Sequence, residues 1–125
     1  MDNYRRGWAL RYIREAKAEL KAARRMPYMA PNLILEAVRK ARNAIHYSFG
    51  EPAFIENIIN ETDERAELMN DPILRFLREV EQTIHEMTTL GLTDGDMAMR
   101  QADNLIQAAY EIVKTLTGED IKDLD

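Results

Sequence analysis

The chain contains two histidines, and each follows an arginine by seven positions: Arg39 before His46, and Arg78 before His85. Seven residues is nearly two turns of an α-helix, so on a helix each pair shares a face, and a guanidinium and an imidazole can converge on one anion. Such a pair suits phosphodiester cleavage, with Arg neutralising the charge that develops on the phosphate and His moving a proton. Arg78 and His85 are the catalytic candidates. A structural account stands beside this one: with twelve arginines in the chain, an Arg near a given His also arises by chance, and the histidines can be partly buried or surface residues beside a solvated basic face.

Other chemistries are poorly supplied. The absence of cysteine removes disulfides, thiolate zinc sites and cysteine nucleophiles, and two histidines cannot build an all-imidazole metal site. A di-iron bundle would need Glu three residues before each His, where Asn43 and Gln82 stand instead. Asp94-Gly95-Asp96 lacks the remaining ligands of a calcium loop, and Asn60-Glu61-Thr62 matches a glycosylation acceptor that is used only on secretion. No metal or cofactor is expected. No apolar run approaches the roughly 18 residues of a membrane span, and the basic N-terminal stretch lacks the apolar core of a signal peptide, so a cytoplasmic location is expected.

Charge is unevenly distributed. The 125 residues carry 17 Lys+Arg and 22 Asp+Glu for a net charge of -5. Residues 1–50 hold 11 basic and 4 acidic side chains, a balance of +7, whereas residues 51–125 balance at -12. A nucleic-acid surface would draw on Arg5, Arg11, Arg14, Lys21, Arg39 and Arg42, with Tyr4, Trp8 and Tyr12 as possible stacking groups. The competing expectation, and the favoured one, is that the basic helices neutralise the acidic ones within the fold or across a dimer, since a pI near 5.1 opposes general affinity for nucleic acid.

The elements that must position these residues are all helical. Asp2 or Asn3 caps a first helix with an apolar stripe of Trp8, Tyr12, Ile13, Ala16, Leu20 and Ala23, and Pro27 stops it. Met26 to Pro31 reads as an extended link. A second helix starts near Asn32, carries Leu33, Ile34, Ala37, Val38, Ala41, Ala44, Ile45 and Ser48, and ends at Gly50 in the left-handed conformation. Pro52 opens a third, with Phe54, Ile55, Ile58, Ile59, Ala66 and Met69, prone to kink at Asn60-Glu61-Thr62-Asp63. Asp71-Pro72 opens a fourth, through Ile73, Leu74, Leu77, Val80, Ile84 and Met87, closed by Gly91. Thr93 with Asp96 caps a fifth, with Met97, Ala98, Ala102, Leu105, Ile106, Ala109, Ile112, Val113 and Leu116, closed by Gly118. Period-two alternation is lacking, and the links are short, which predicts one all-α domain over 1–118, an antiparallel up-and-down bundle of four to five helices, with an acidic frayed tail over 119–125.

Three stretches carry a family likeness. Arg11-Tyr12-Ile13 through Ala16, Leu20, Ala22 and Ala23, then Ala37-Val38-Arg39-Lys40-Ala41-Arg42-Asn43-Ala44-Ile45, and finally Ala102-Asp103-Asn104-Leu105-Ile106-Gln107-Ala108-Ala109-Tyr110 resemble the first, second and closing helices of the HEPN superfamily of small helical domains. The resemblance implies a bundle that commonly dimerises. It also implies one of two roles: a metal-independent ribonuclease, often a toxin of a toxin–antitoxin system, or a non-catalytic partner of a small nucleotidyltransferase. The family's active motif is an Arg, usually followed by a polar residue, with four to six residues between the Arg and a His, placed late in the bundle before the last helix. Arg78 and His85 match its place, but Glu79 follows the Arg where the family usually has Asn or Asp, and Glu81 and Glu86 would repel a phosphate. Arg42-Asn43 with His46 has the right letters but one residue too few between Arg and His, too early in the chain. These departures favour the non-catalytic, homodimeric partner over a ribonuclease, and an adaptor or oligomerisation protein with no small-molecule site stands as a further alternative.

Overall fold

The computed structural model describes residues 1–65, 70–91 and 95–119. Its described residues form an all-α bundle: α1 (Asn3–Arg25), a short 3-10 turn (Pro27–Met29), α2 (Ala30–Phe49), α3 (Pro52–Glu64), α4 (Pro72–Leu90) and α5 (Gly95–Thr117). No described helix is long and apolar enough to cross a membrane.

Local chemistry accounts for most boundaries. The Asp2 carboxylate accepts from the Arg5 amide at 2.8 Å, and Asp71 accepts from the Ile73 and Leu74 amides at 2.8 and 3.2 Å, each satisfying first-turn donors that lack a helical partner. Gly91 and Gly118 follow their helices with φ of 78° and 72°, the left-handed region that glycine enters without strain.

Four expectations change. Helix α2 begins at Ala30 rather than near Asn32, because Pro31 sits in its first turn, where a missing amide proton costs nothing, and Pro27 opens the 3-10 turn before it. Gly50 has φ 173°, which is extended rather than left-handed. Its usefulness is spatial, since a Cβ there would lie 3.3 Å from Ile55 Cδ1. Helix α3 runs unbroken through residues 60–63 and ends at Glu64, with Arg65 extended; Ala66 and Met69 lie outside the described residues, as do Thr93 and residues 120–125. Glu119, expected to be frayed, is held by Arg6, and its amide donates to Thr117 Oγ1 at 3.2 Å.

Residue pairs fix helix directions. Arg5 meets Tyr47 and Ser48 while Lys40 meets Glu15 and Glu19, so α1 and α2 run antiparallel. Arg6 with Glu119, Lys17 with Tyr110 and Arg24 with Asp103 make α1 antiparallel to α5 as well. Strict alternation of five helices would leave α5 parallel to α1. Instead, the chain leaves α2 at the end where α1 begins and enters α5 at the opposite end, so α3 and α4 together carry it across once.

The core of α1, α2 and α5 is rich in alanine: Ala9, Ala16, Ala23, Ala37, Ala41, Ala44, Ala102 and Ala109 are all buried, interleaved with Ile13, Leu20, Ile34, Val38, Ile45, Ile106 and Val113. Small side chains let helix axes approach, and the interleaved branched residues fill the remaining space. Helices α3 and α4 add Ile55, Ile59, Leu77, Val80, Ile84 and Met87 to the same core. Trp8 and Tyr12 sit beside the core rather than in it, and Phe54, expected on the apolar stripe, is 62% exposed.

Overpacking the seam tests this arrangement. Ala16→Leu is expected to destabilise the fold by about 1–3 kcal/mol, whereas Ala18→Leu, on the exposed side of the same helix, stays within about 0.5 kcal/mol, both read by urea unfolding.

Candidate functional site

Positions 78, 81, 82 and 85 recur at helical spacing, so α4 presents Arg78, Glu81, Gln82 and His85 on one face. Opposite them, α3 supplies Glu56, Ile59 and Asn60, and the seven residues line a cleft of about 530 Å³. The structure thus brings Arg78 and His85 into one cleft, together with two carboxylates. Glu86 is not part of this lining; Gln82 donates to it at 3.2 Å.

Helix α2 approaches the same place through a polar cluster that sequence spacing did not reveal. Arg42 Nη1 lies 3.6 Å from Glu81 Oε2, and His46 Nε2 lies 3.5 Å from Glu81 Oε1. Arg39 does not join its expected partner His46; it turns to Glu36 at 3.3 Å. His46, expected to be partly buried or at the surface, is only 2% exposed, and its Nε2 makes no hydrogen bond. Burial, with the nearby Arg42 guanidinium adding to it, pushes this imidazole down from 6.5 to about 4. It is therefore neutral at physiological pH, and its approach to Glu81 is not an ion pair. Burial raises Glu81, with Glu56 adding to the effect and Arg42 opposing it.

The remaining nucleic-acid candidates are dispersed. Arg5 donates to the carbonyls of Tyr47 and Ser48 at 3.1 and 3.4 Å, satisfying acceptors at the end of α2. Arg11 pairs with Glu15 at 3.1 Å and lies 5.0 Å over the Trp8 ring. Arg42 is held by Glu81 and Asn43. Arg14 and Lys21 are exposed and make no ion pair with the described residues. Two partners of Lys40, Glu19 at 2.6 Å and Glu15 at 3.5 Å, complete a network across α1 and α2. The hydrogen bond to Glu19 is the main reason that Lys40 is raised above its ordinary value, with burial opposing it. Among the described residues no group of three or more His, Asp or Glu side chains could hold a metal ion.

Comparison with known proteins returns no matching family model, no matching curated protein and no matching solved structure.

His46 gives the fold a pH signature. Between about 4 and 6.5 the unfolded chain binds a proton at this site that the folded chain does not, so its contribution to stability is complete above 6.5 and falls as the solution is acidified toward 4. Glu81 acts in the opposite sense: it favours the fold below the ordinary carboxylate value, and this is lost as pH rises through its raised folded value. Replacing the imidazole isolates its share. Relative to His46→Gln, the wild type is expected to lose about 2–3 kcal/mol between about pH 7 and pH 4.5, measured by urea unfolding; equal pH dependence in both proteins would contradict the burial account.

Proposed function

We propose that this chain is a non-catalytic, HEPN-like helical bundle acting in the cytoplasm as an oligomerising partner protein, working as a homodimer or beside a small nucleotidyltransferase in a toxin–antitoxin type system. The observation that carries the reading is the presence of Glu56 and Glu81 in the cleft that holds Arg78 and His85. A phosphodiester entering there meets two carboxylates, one of them already engaged by Arg42, and like charge at such range in a partly buried site disfavours binding. The homodimer is supported by a cluster of rings elsewhere: Tyr4, Trp8, Tyr12 and Tyr47 make ring contacts with centroids 5.6 to 6.4 Å apart, and Tyr4 is 61% exposed. Rigid aromatic area of this kind is what protein interfaces favour.

A second reading, a metal-independent endoribonuclease using Arg78 and His85, is favoured by one observation, that both side chains line the same cleft. Incubation with RNA in the presence of a chelator separates the two. No cleavage above background is expected of the wild type. Cleavage abolished by both Arg78→Ala and His85→Ala would replace the partner reading with the nuclease one. Sedimentation is expected to show a dimer that Tyr4→Arg weakens, and a clean monomer at high protein concentration would remove the homodimer.

A further inference from the structure

Residues 14–25 of α1 carry Arg14, Lys17, Lys21, Arg24 and Arg25. At 3.6 residues per turn, Arg14, Lys21 and Arg25 fall within an arc of about 40°, and the row they make is about 16 Å long. The two acids of the same stretch, Glu15 and Glu19, turn away from it toward Arg11 and Lys40. Lys17, Lys21, Arg24 and Arg25 line one wall of a groove of about 400 Å³, opposed by Asp103 and Gln107 of α5, with Leu20 and Ile106 among its lining.

Compensation within this groove is thin. Arg24 is held by Asp103 at 2.6 Å, and Lys17 lies 4.6 Å from the centre of the Tyr110 ring. Arg14, Lys21 and Arg25 make no ion pair with the described residues, although Arg5, Arg6, Arg11, Arg39, Lys40 and Arg42 are each held by carboxylates or carbonyls. Like charges at i,i+4, as in Lys17 with Lys21 and Lys21 with Arg25, destabilise a helix. The helix dipole favours Arg24 and Arg25 in the last turn but does not reach Arg14 or Lys17. The fold thus retains a row of uncompensated cations in a protein of net charge -5.

We propose that this groove binds the phosphate backbone of a single-stranded nucleic acid. The row is longer than one phosphate group needs and spans several consecutive ones, and its two guanidiniums, Arg14 and Arg25, suit phosphate oxygens. Tyr28 stands three residues beyond Arg25 and is 82% exposed, offering a ring on which an unpaired base can stack. The acidic remainder of the molecule does not cancel the row, because at physiological salt its field is screened over about 8 Å. The inference stands independently of the partner reading, which concerns the cleft between α3 and α4.

Fluorescence anisotropy with labelled oligouridylate and oligothymidylate of about 12 nucleotides tests it. Both are expected to bind at low salt, and log affinity is expected to fall with log salt by about 0.7 per phosphate contacted. Lys21→Glu combined with Arg25→Glu, both exposed and therefore compatible with folding, is expected to weaken binding at least about tenfold and to reduce that slope by about 1.4. Arg39→Gln, on α2 and paired with Glu36, is expected to leave binding unchanged. Absence of binding by the wild type at low salt would overturn the proposal, as would full retention in the double variant with its thermal midpoint intact. Displacement of the oligonucleotides by polyglutamate at equal charge concentration would also overturn it, assigning the groove to an acidic protein segment.

Discussion

The close seam of alanines between α1 and its two neighbours is the constraint on which the other features rest. Ala9, Ala16 and Ala23 on α1, Ala37, Ala41 and Ala44 on α2, and Ala102 and Ala109 on α5 are buried, and with so little side chain between them the helices lie near enough for long polar side chains on the flanks to meet. That proximity is why Lys40 reaches Glu15 and Glu19, Arg24 reaches Asp103 and Arg6 reaches Glu119. Helices α3 and α4 add larger residues to the core, among them Ile55, Ile59, Leu77 and Ile84. Bulkier contacts hold axes further apart, and the cleft holding Arg78, His85, Glu56 and Glu81 opens between these two helices.

Electrostatics follows from that geometry. Among the described residues the basic first part meets the acidic remainder at Arg6 with Glu119, Arg24 with Asp103 and Arg42 with Glu81, whereas Arg11, Arg39 and Lys40 pair with carboxylates of their own part. Surface pairs of this kind are each worth roughly 0–1 kcal/mol, so their main consequence is to determine which cations remain available. Arg5 completes the end of α2, Arg11 and Lys40 share Glu15, and Arg42 holds Glu81 over a neutral, buried His46. The uncompensated remainder is concentrated on the side of α1 that borders α5. An anion approaching this protein therefore meets a basic groove on one side and a carboxylate-bearing cleft on another.

Much of the fold was legible because it is set by neighbours in sequence. Asp2 and Asp71 as caps, Pro52 and Pro72 in first turns, and Gly91 and Gly118 after helix ends all follow from backbone rules. Where the sequence reading failed, a tertiary contact or an equally permitted local alternative decided the outcome. Gly50 makes room for Ile55 instead of turning left-handed, and Pro31 lies in a first turn rather than an extended link. The shared face of Arg78 and His85 could be read from periodicity, as could the repulsive Glu81. Glu56 and Asn60 come from α3, and Arg42 and His46 from α2, so their convergence depends on how helices pack. The same holds for the basic groove: Lys17, Arg24 and Arg25 are plain in the sequence, but which cations find partners is decided by the register of α1 against α5.

Among the described residues, most cations of α1 and α2 are engaged within the fold and the free ones lie beside the α1–α5 groove, while the cleft of α3 and α4 presents Glu56 and Glu81 to any incoming phosphate. Two-dimensional amide NMR spectra recorded during titration with oligouridylate test both parts at once. Shifts are expected at Lys17, Lys21, Arg24, Arg25 and Gln107, with Arg78, Glu81, Gln82 and His85 unmoved; shifts centred on Arg78 and His85, with the groove silent, would place the nucleic acid in the cleft instead.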